Sequence, residues 1–97
     1  MKQKELFAEL IETAGKLGIK IRQEKGFFKG GLAEKDGDKI IVLNKNAPIE
    51  TLLVVMVRCL ITQAIDEIYL KPVVRDYIET ERERIKNEPE VEILVDY

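Results

Sequence analysis

The chain has 97 residues, 16 basic and 18 acidic side chains, a net charge of −2, one Cys, and no His, Trp or Ser. Without His it lacks the commonest general base and metal ligand, and without Ser it lacks the Ser-His-Asp nucleophile system. A single Cys forms no internal disulfide, no C-x-x-C redox pair and no Cys-rich zinc site.

Hydrophobic residues make up 45% and charged residues 35% of the chain. That balance describes one globular domain with a single core rather than a disordered segment. The charged residues are mainly Lys and Glu, and Asn and Gln are scarce, a composition that heat-adapted proteins favour. The first residues, Met1-Lys2-Gln3-Lys4-Glu5, run into an amphipathic segment, and the longest uncharged apolar run is Leu52 to Val57. That run falls far short of the ~20 residues needed to span a bilayer. The expectation is a cytoplasmic protein with no membrane contact. Charge is unevenly placed: residues 16–45 carry eight Lys/Arg against four acids, and residues 46–97 carry six against eleven. The basic stretch is either a solvated face or one that meets an anionic partner.

Residues 3–17 are predicted as a helix. Leu6, Phe7, Leu10, Ile11, Ala14 and Leu17 repeat at the spacing of one buried face, and Gly18 is the stop. Residues 19–24 alternate apolar and polar and predict a strand with one wet face. Lys25-Gly26 is a turn, and residues 28–35 predict a second strand, weakened by Gly30-Gly31. Asp36-Gly37 signals a hairpin into a third strand over residues 39–43. Its Ile40-Ile41-Val42-Leu43 run is apolar on both faces, which makes it the most covered strand. Asn46 and Pro48 predict the start of a helix over 48–68 that is apolar around most of its circumference. In so small a domain, a second copy is expected to cover part of it. Pro72 opens a helix over 72–86 with Val73, Tyr77, Ile78 and Ile85 inward. Along it, Glu79–Arg82 and Glu81–Arg84 can pair across one turn, a pattern of a solvated face. Val91, Ile93, Val95 and Tyr97 then alternate with Glu92, Leu94 and Asp96. This reads as a short extra strand, exchanged with a neighbour or ordered on a partner. The order α-β-β-β-α-α-β gives a single α+β domain, an antiparallel three-stranded meander packed on helices.

A hairpin ending in Ile41-Val42-Leu43-Asn44, then Pro48, then an apolar helix resembles the small intracellular zincin peptidases of the ImmA/IrrE type. In that family the helix carries His-Glu-x-x-His, whose His residues bind zinc and whose Glu activates water. The resemblance puts Arg58 at the first His position, Cys59 at the Glu position and Thr62 at the second His. None of these can fill the family's role, so the resemblance implies a scaffold without catalysis, metal or cofactor. The stretches Phe28-Lys29-Gly30-Gly31, Ile41 to Lys45 with Pro48, and Ile68 to Arg75 are also similar to a family of short bacterial proteins that brings no assigned activity.

Other constellations carry less. Lys25-Gly26-Phe27 begins like an RNA-recognition signature, but Phe28 and Lys29 stand where a small residue and the stacking aromatic belong. The structural alternative packs Phe28 and leaves Phe27 at a turn. Gly30-Gly31 reads as a close approach of another backbone, or a bulge. Asp66-Glu67 lacks a third ligand for Ca²⁺ or Mg²⁺, and Cys59 reads as a small buried hydrophobe. The leading functional expectation is a non-enzymatic, self-associating protein-interaction module, a homodimer or a partner of another protein. The alternatives are a divergent enzyme using Cys59, Asp66 or Arg75, and a weak nucleic-acid binder acting through residues 16–45.

Overall fold

A computed structural model of the chain describes residues 1–87. Three helices and a three-stranded mixed sheet follow in the order α1 (Gln3–Lys16), β1 (Lys20–Glu24), β2 (Gly30–Lys35), β3 (Asp38–Asn44), α2 (Ile49–Leu60) and α3 (Pro72–Asn87), with a single 3₁₀ turn at Ile65–Glu67 before α3. The predicted terminal strand, with Val91, Ile93, Val95 and Tyr97, lies outside the described residues.

The predicted stripe of α1 faces the core: Leu6, Leu10 and Ala14 are buried, with Phe7, Ile11 and Leu17 packed at its border. Gly18 ends the helix at φ +74°, and Ile19 N–H donates to the Ala14 carbonyl while Gly18 N–H donates to Gly15. This paired closure needs a left-handed residue, which glycine supplies without a Cβ clash. It also sets Ile19 down in the core beside Ala14 and turns the chain back as β1.

Asp36 and Gly37 both take positive φ, +53° and +84°, and β2 pairs antiparallel with β3 through them. The expected meander is corrected here. β1 does not pair with β2; it lies parallel to β3 on the other side, so the order across the sheet is β1-β3-β2. The cause is in β3 itself, whose Ile41, Val42 and Leu43 are almost fully buried and Ile40 nearly so. A strand apolar on both faces belongs in the middle, and β1, with Lys20, Arg22, Gln23 and Glu24 exposed, suits an edge.

Placing β3 between β1 and β2 forces the chain to cross the end of β3, a span of about 10 Å at ordinary strand spacing. Residues 25–29 make that crossing, so β2 starts at Gly30 rather than at residue 28. Asn44 holds the loop from below. Its Nδ2 donates to the Gly26 carbonyl at 2.9 Å and to the Phe28 carbonyl at 2.7 Å, and its Oδ1 accepts from Asn46 N–H at 3.0 Å. Asn46 therefore does not cap α2, whose N-cap is Pro48 with no side-chain bond. Asn44→Ala is expected to cost about 0.5–1.5 kcal/mol through the loss of these bonds, and Asn44→Asp more, since a carboxylate would face both oxygens. Urea midpoints compare the two; equal costs would remove the donor role.

Helices α1 and α2 pack side by side, α1 against β1 and α2 against β2 and β3. The predicted helix 48–68 is too long: α2 stops at Leu60, where Thr62 Oγ1 donates to the Cys59 carbonyl at 2.7 Å and Gln63 N–H donates to Leu60. Gln63 continues this closure, donating to Thr62 Oγ1 and accepting from Lys39 Nζ at 2.7 Å. Within the chain α2 buries Leu53, Val55, Met56, Val57, Cys59 and Leu60, while Ile49, Leu52 and Val54 stay half-buried. The inner face of α3 is also corrected. Val74, Ile78 and Glu81 are buried, while Val73 is exposed and Tyr77 and Ile85 are half-buried. No helix among the described residues is long and apolar enough to cross a membrane.

Candidate functional site

Arg58 and Cys59 fall on the last turn of α2, and Thr62 lies past its end in the turn that closes it. Only the first two belong to the helix. Arg58 is half-buried, and Thr62 is spent on the Cys59 carbonyl. Cys59 is 4% exposed, and burial pushes its thiol up to about 12, so it holds its proton at neutral pH. A nucleophilic Cys needs the opposite environment, partly exposed and electropositive.

Asp66 lies in the 3₁₀ turn and Arg82 donates to it at 3.4 Å, while Arg75 is exposed on the first turns of α3. Asp66 and Arg75 are both on the surface and Cys59 is inside. Among the described residues no three Asp, Glu or Cys side chains converge as a metal set.

Gly30 explains the Gly-Gly pair. At φ +121°, a Cβ there would sit 2.5 Å from the Val42 carbonyl oxygen and 3.1 Å from Val55 Cγ1. The backbone that approaches closely is the chain's own β3. Phe28 is half-buried, and Phe27 at the loop tip is fully exposed, at 111% of its reference area. Lys25 and Lys29 of the same loop are also exposed, as is Lys45 just past β3.

A second place was not foreseen. A cavity of about 260 Å³ opens between the starts of α1 and α2 and the middle of α3. Met1, Gln3 and Leu6 line it from α1 and its approach, Glu50, Leu53 and Val54 from α2, and Tyr77, Glu81 and Arg84 from α3. Glu81 is 5% exposed. Its Oε1 accepts from Arg84 Nη1 at 3.2 Å, while its Oε2 is buried without a hydrogen-bond partner among the described residues. The predicted Glu79–Arg82 and Glu81–Arg84 pairs are both present, but the face is not wholly solvated, because Glu81 points inward. Burial raises the Tyr77 hydroxyl above its ordinary range, the Glu81 charge adds to that, and Arg84 opposes it. A signal for this site exists in the sequence. Residues 74, 78, 81 and 85 form one helical stripe, and position 81 of that stripe is a carboxylate.

No family model matches this chain, and no curated protein or solved structure matches it either.

Proposed function

We propose that the chain is a non-catalytic, self-associating protein-interaction module. The observation that carries the reading is the loop of residues 25–29. It is clamped from below by Asn44 and presents Phe27 fully to solvent between exposed Lys25 and Lys29. An exposed ring on a fixed loop loses little conformational freedom on docking, and burying it is worth about 1.5–3 kcal/mol. Exposed aromatic anchors of this kind recur at the centres of interfaces.

A second copy suits the loop by charge. The loop belongs to the basic stretch of residues 16–45, and residues 46–97 carry eleven acids against six bases. Opposite halves of two copies attract each other, an attraction that salt weakens. The buried, protonated Cys59 supports the non-catalytic part of the reading.

Light scattering after size exclusion at about 100 µM, a concentration suited to weak contacts, is expected to give a mass above that of one chain. Phe27→Ala should return the mass to the monomer while leaving stability within about 0.5 kcal/mol, because the ring touches no core. A parent chain that is monomeric under these conditions overturns self-association. The same ring and lysines favour a second reading, stacking on single-stranded nucleic acid. Retention on a phosphate matrix that falls with salt and is lost in Phe27→Ala would favour that reading.

A further inference from the structure

We infer that the outer face of the sheet is a docking surface for the chain's own residues 88–97. The two faces of β3 are covered differently. Ile41 and Leu43 join the core with residues of all three helices, whereas Ile40 and Val42 point the other way, by the alternation of a strand, and stand outside that core. Yet Val42 is 1% exposed, Ile40 is 9% exposed, and Gly31, opposite Val42 on β2, is buried. Gly31 has no side chain, and Ala33 opposite Ile40 has a single methyl, so β2 leaves a trough there rather than a cover. On the other flank, Lys20 and Arg22 stand opposite Ile40 and Val42 and are exposed.

The segment from Glu88 to Tyr97 suits this place by composition and by reach. It holds five large apolar side chains, Val91, Ile93, Leu94, Val95 and Tyr97, with four acids and no base. The sheet belongs to residues 16–45, where bases outnumber acids eight to four, so opposite charge draws the segment toward it. Helices α1 and α2 lie between the sheet and α3, which places two layer spacings, about 20 Å, between Asn87 and the sheet. Ten extended residues span about 33 Å, which leaves Ile93, Val95 and Tyr97 for the face itself. Being alternate residues, these three fall on one side of an extended segment and fit the trough over Gly31, Val42 and Ile40. The chain's own segment is favoured over a second copy's, because so short a tether holds it at an effective concentration in the millimolar range. The apolar face is then withheld from other chains, and self-association is left to surfaces such as the Phe27 loop.

The test is methyl NOE spectroscopy on the full chain with isotope-labelled Ile and Val. Contacts from Ile93 and Val95 to Val42 or Ile40 are expected. They should be absent from an isotope-filtered spectrum of mixed labelled and unlabelled chains, which records only contacts between copies. Joint substitution of Ile93→Asp and Val95→Asp should erase them, shift the Val42 methyls, and leave Val74 and Ile78, in the core on α3, in place. The same variant should raise anilinonaphthalene sulfonate fluorescence severalfold as the uncovered face takes up the dye. Phe27→Ala should leave the contacts unchanged, so this inference and self-association through the loop fail separately. The inference is overturned if Val42 and Ile40 meet only Phe28 and other residues before 88, if the contacts arise only between copies, or if the double variant leaves the Val42 methyls unmoved.

Discussion

Gly30→Ala is expected to remove about 3–5 kcal/mol of stability, a fifth or more of the roughly 5–15 kcal/mol a chain of this length possesses. Two costs add at this position. The first is conformational, since φ is +121°, a backbone region that side-chain-bearing residues rarely adopt. The second is steric. The new Cβ would lie 2.5 Å from the Val42 carbonyl oxygen, and that oxygen belongs to the central strand and cannot retreat without breaking the sheet. On the other side Val55 Cγ1 stands at 3.1 Å and pins the strand against α2.

Gly18→Ala separates the two costs. Gly18 has a φ of +74° but nothing within 4 Å of the Cβ position, so only the conformational part applies, about 1 kcal/mol. Urea denaturation of both variants decides the matter. If Gly30→Ala costs no more than Gly18→Ala, the close approach of β3 has no energetic weight. A 3 kcal/mol loss should lower the melting midpoint by about 12 °C or more in a domain of this size.

Local features were legible in the sequence where one residue type answers one geometric need. The α1 stripe and Gly18 gave a helix and its end, and Asp36-Gly37 gave the hairpin with both residues at positive φ. The doubly apolar run of residues 40–43 marked β3 as the covered strand, and it is the central one. The neighbour of β1 was not legible by adjacency. Strand pairing is decided by which arrangement buries β3 on both edges, a comparison between whole sheets rather than between neighbouring residues. Asn44 held a clue, because an amide at the end of a central strand can tie down a crossing loop.

The end of α2 was hidden for a related reason. Apolar residues continue from 52 to 68, so periodicity carries no stop; the stop is made by Thr62 and Gln63 folding back on the last turn. The Glu81 site was hidden by a true pattern. Glu79–Arg82 and Glu81–Arg84 pair as their spacing suggests, yet one of the four side chains also falls on the buried stripe. Charge spacing reports which groups can meet, and only tertiary packing decides which of them is covered. The candidate residues Arg58, Cys59 and Thr62 were placed by family likeness along one helix, and the helix ends before the third of them.

Alkaline pH is expected to destabilise the chain through Cys59. The thiol is pushed from its ordinary 9.0 to about 12 by burial, so below about pH 9 it is protonated in both folded and unfolded chains and its contribution is fully present. Between about pH 9 and 12 the unfolded chain releases this proton and the folded chain keeps it, so each pH unit favours unfolding by about 1.4 kcal/mol. Integrated over that window, the loss approaches about 4 kcal/mol, comparable with Gly30→Ala. Tyr77, raised mainly by burial, and Lys71, raised by its hydrogen bond to Glu9 at 2.6 Å, act in the same direction. Cys59→Val isolates the thiol. Urea unfolding at about pH 8 and 10.5 should show the parent losing about 2 kcal/mol more than Cys59→Val does. In the native chain at pH 8 a thiol reagent should label Cys59 only through opening of the fold. Labelling at the rate of a free thiol, or identical alkaline losses in the two chains, would place Cys59 at the surface and reopen it as a nucleophile.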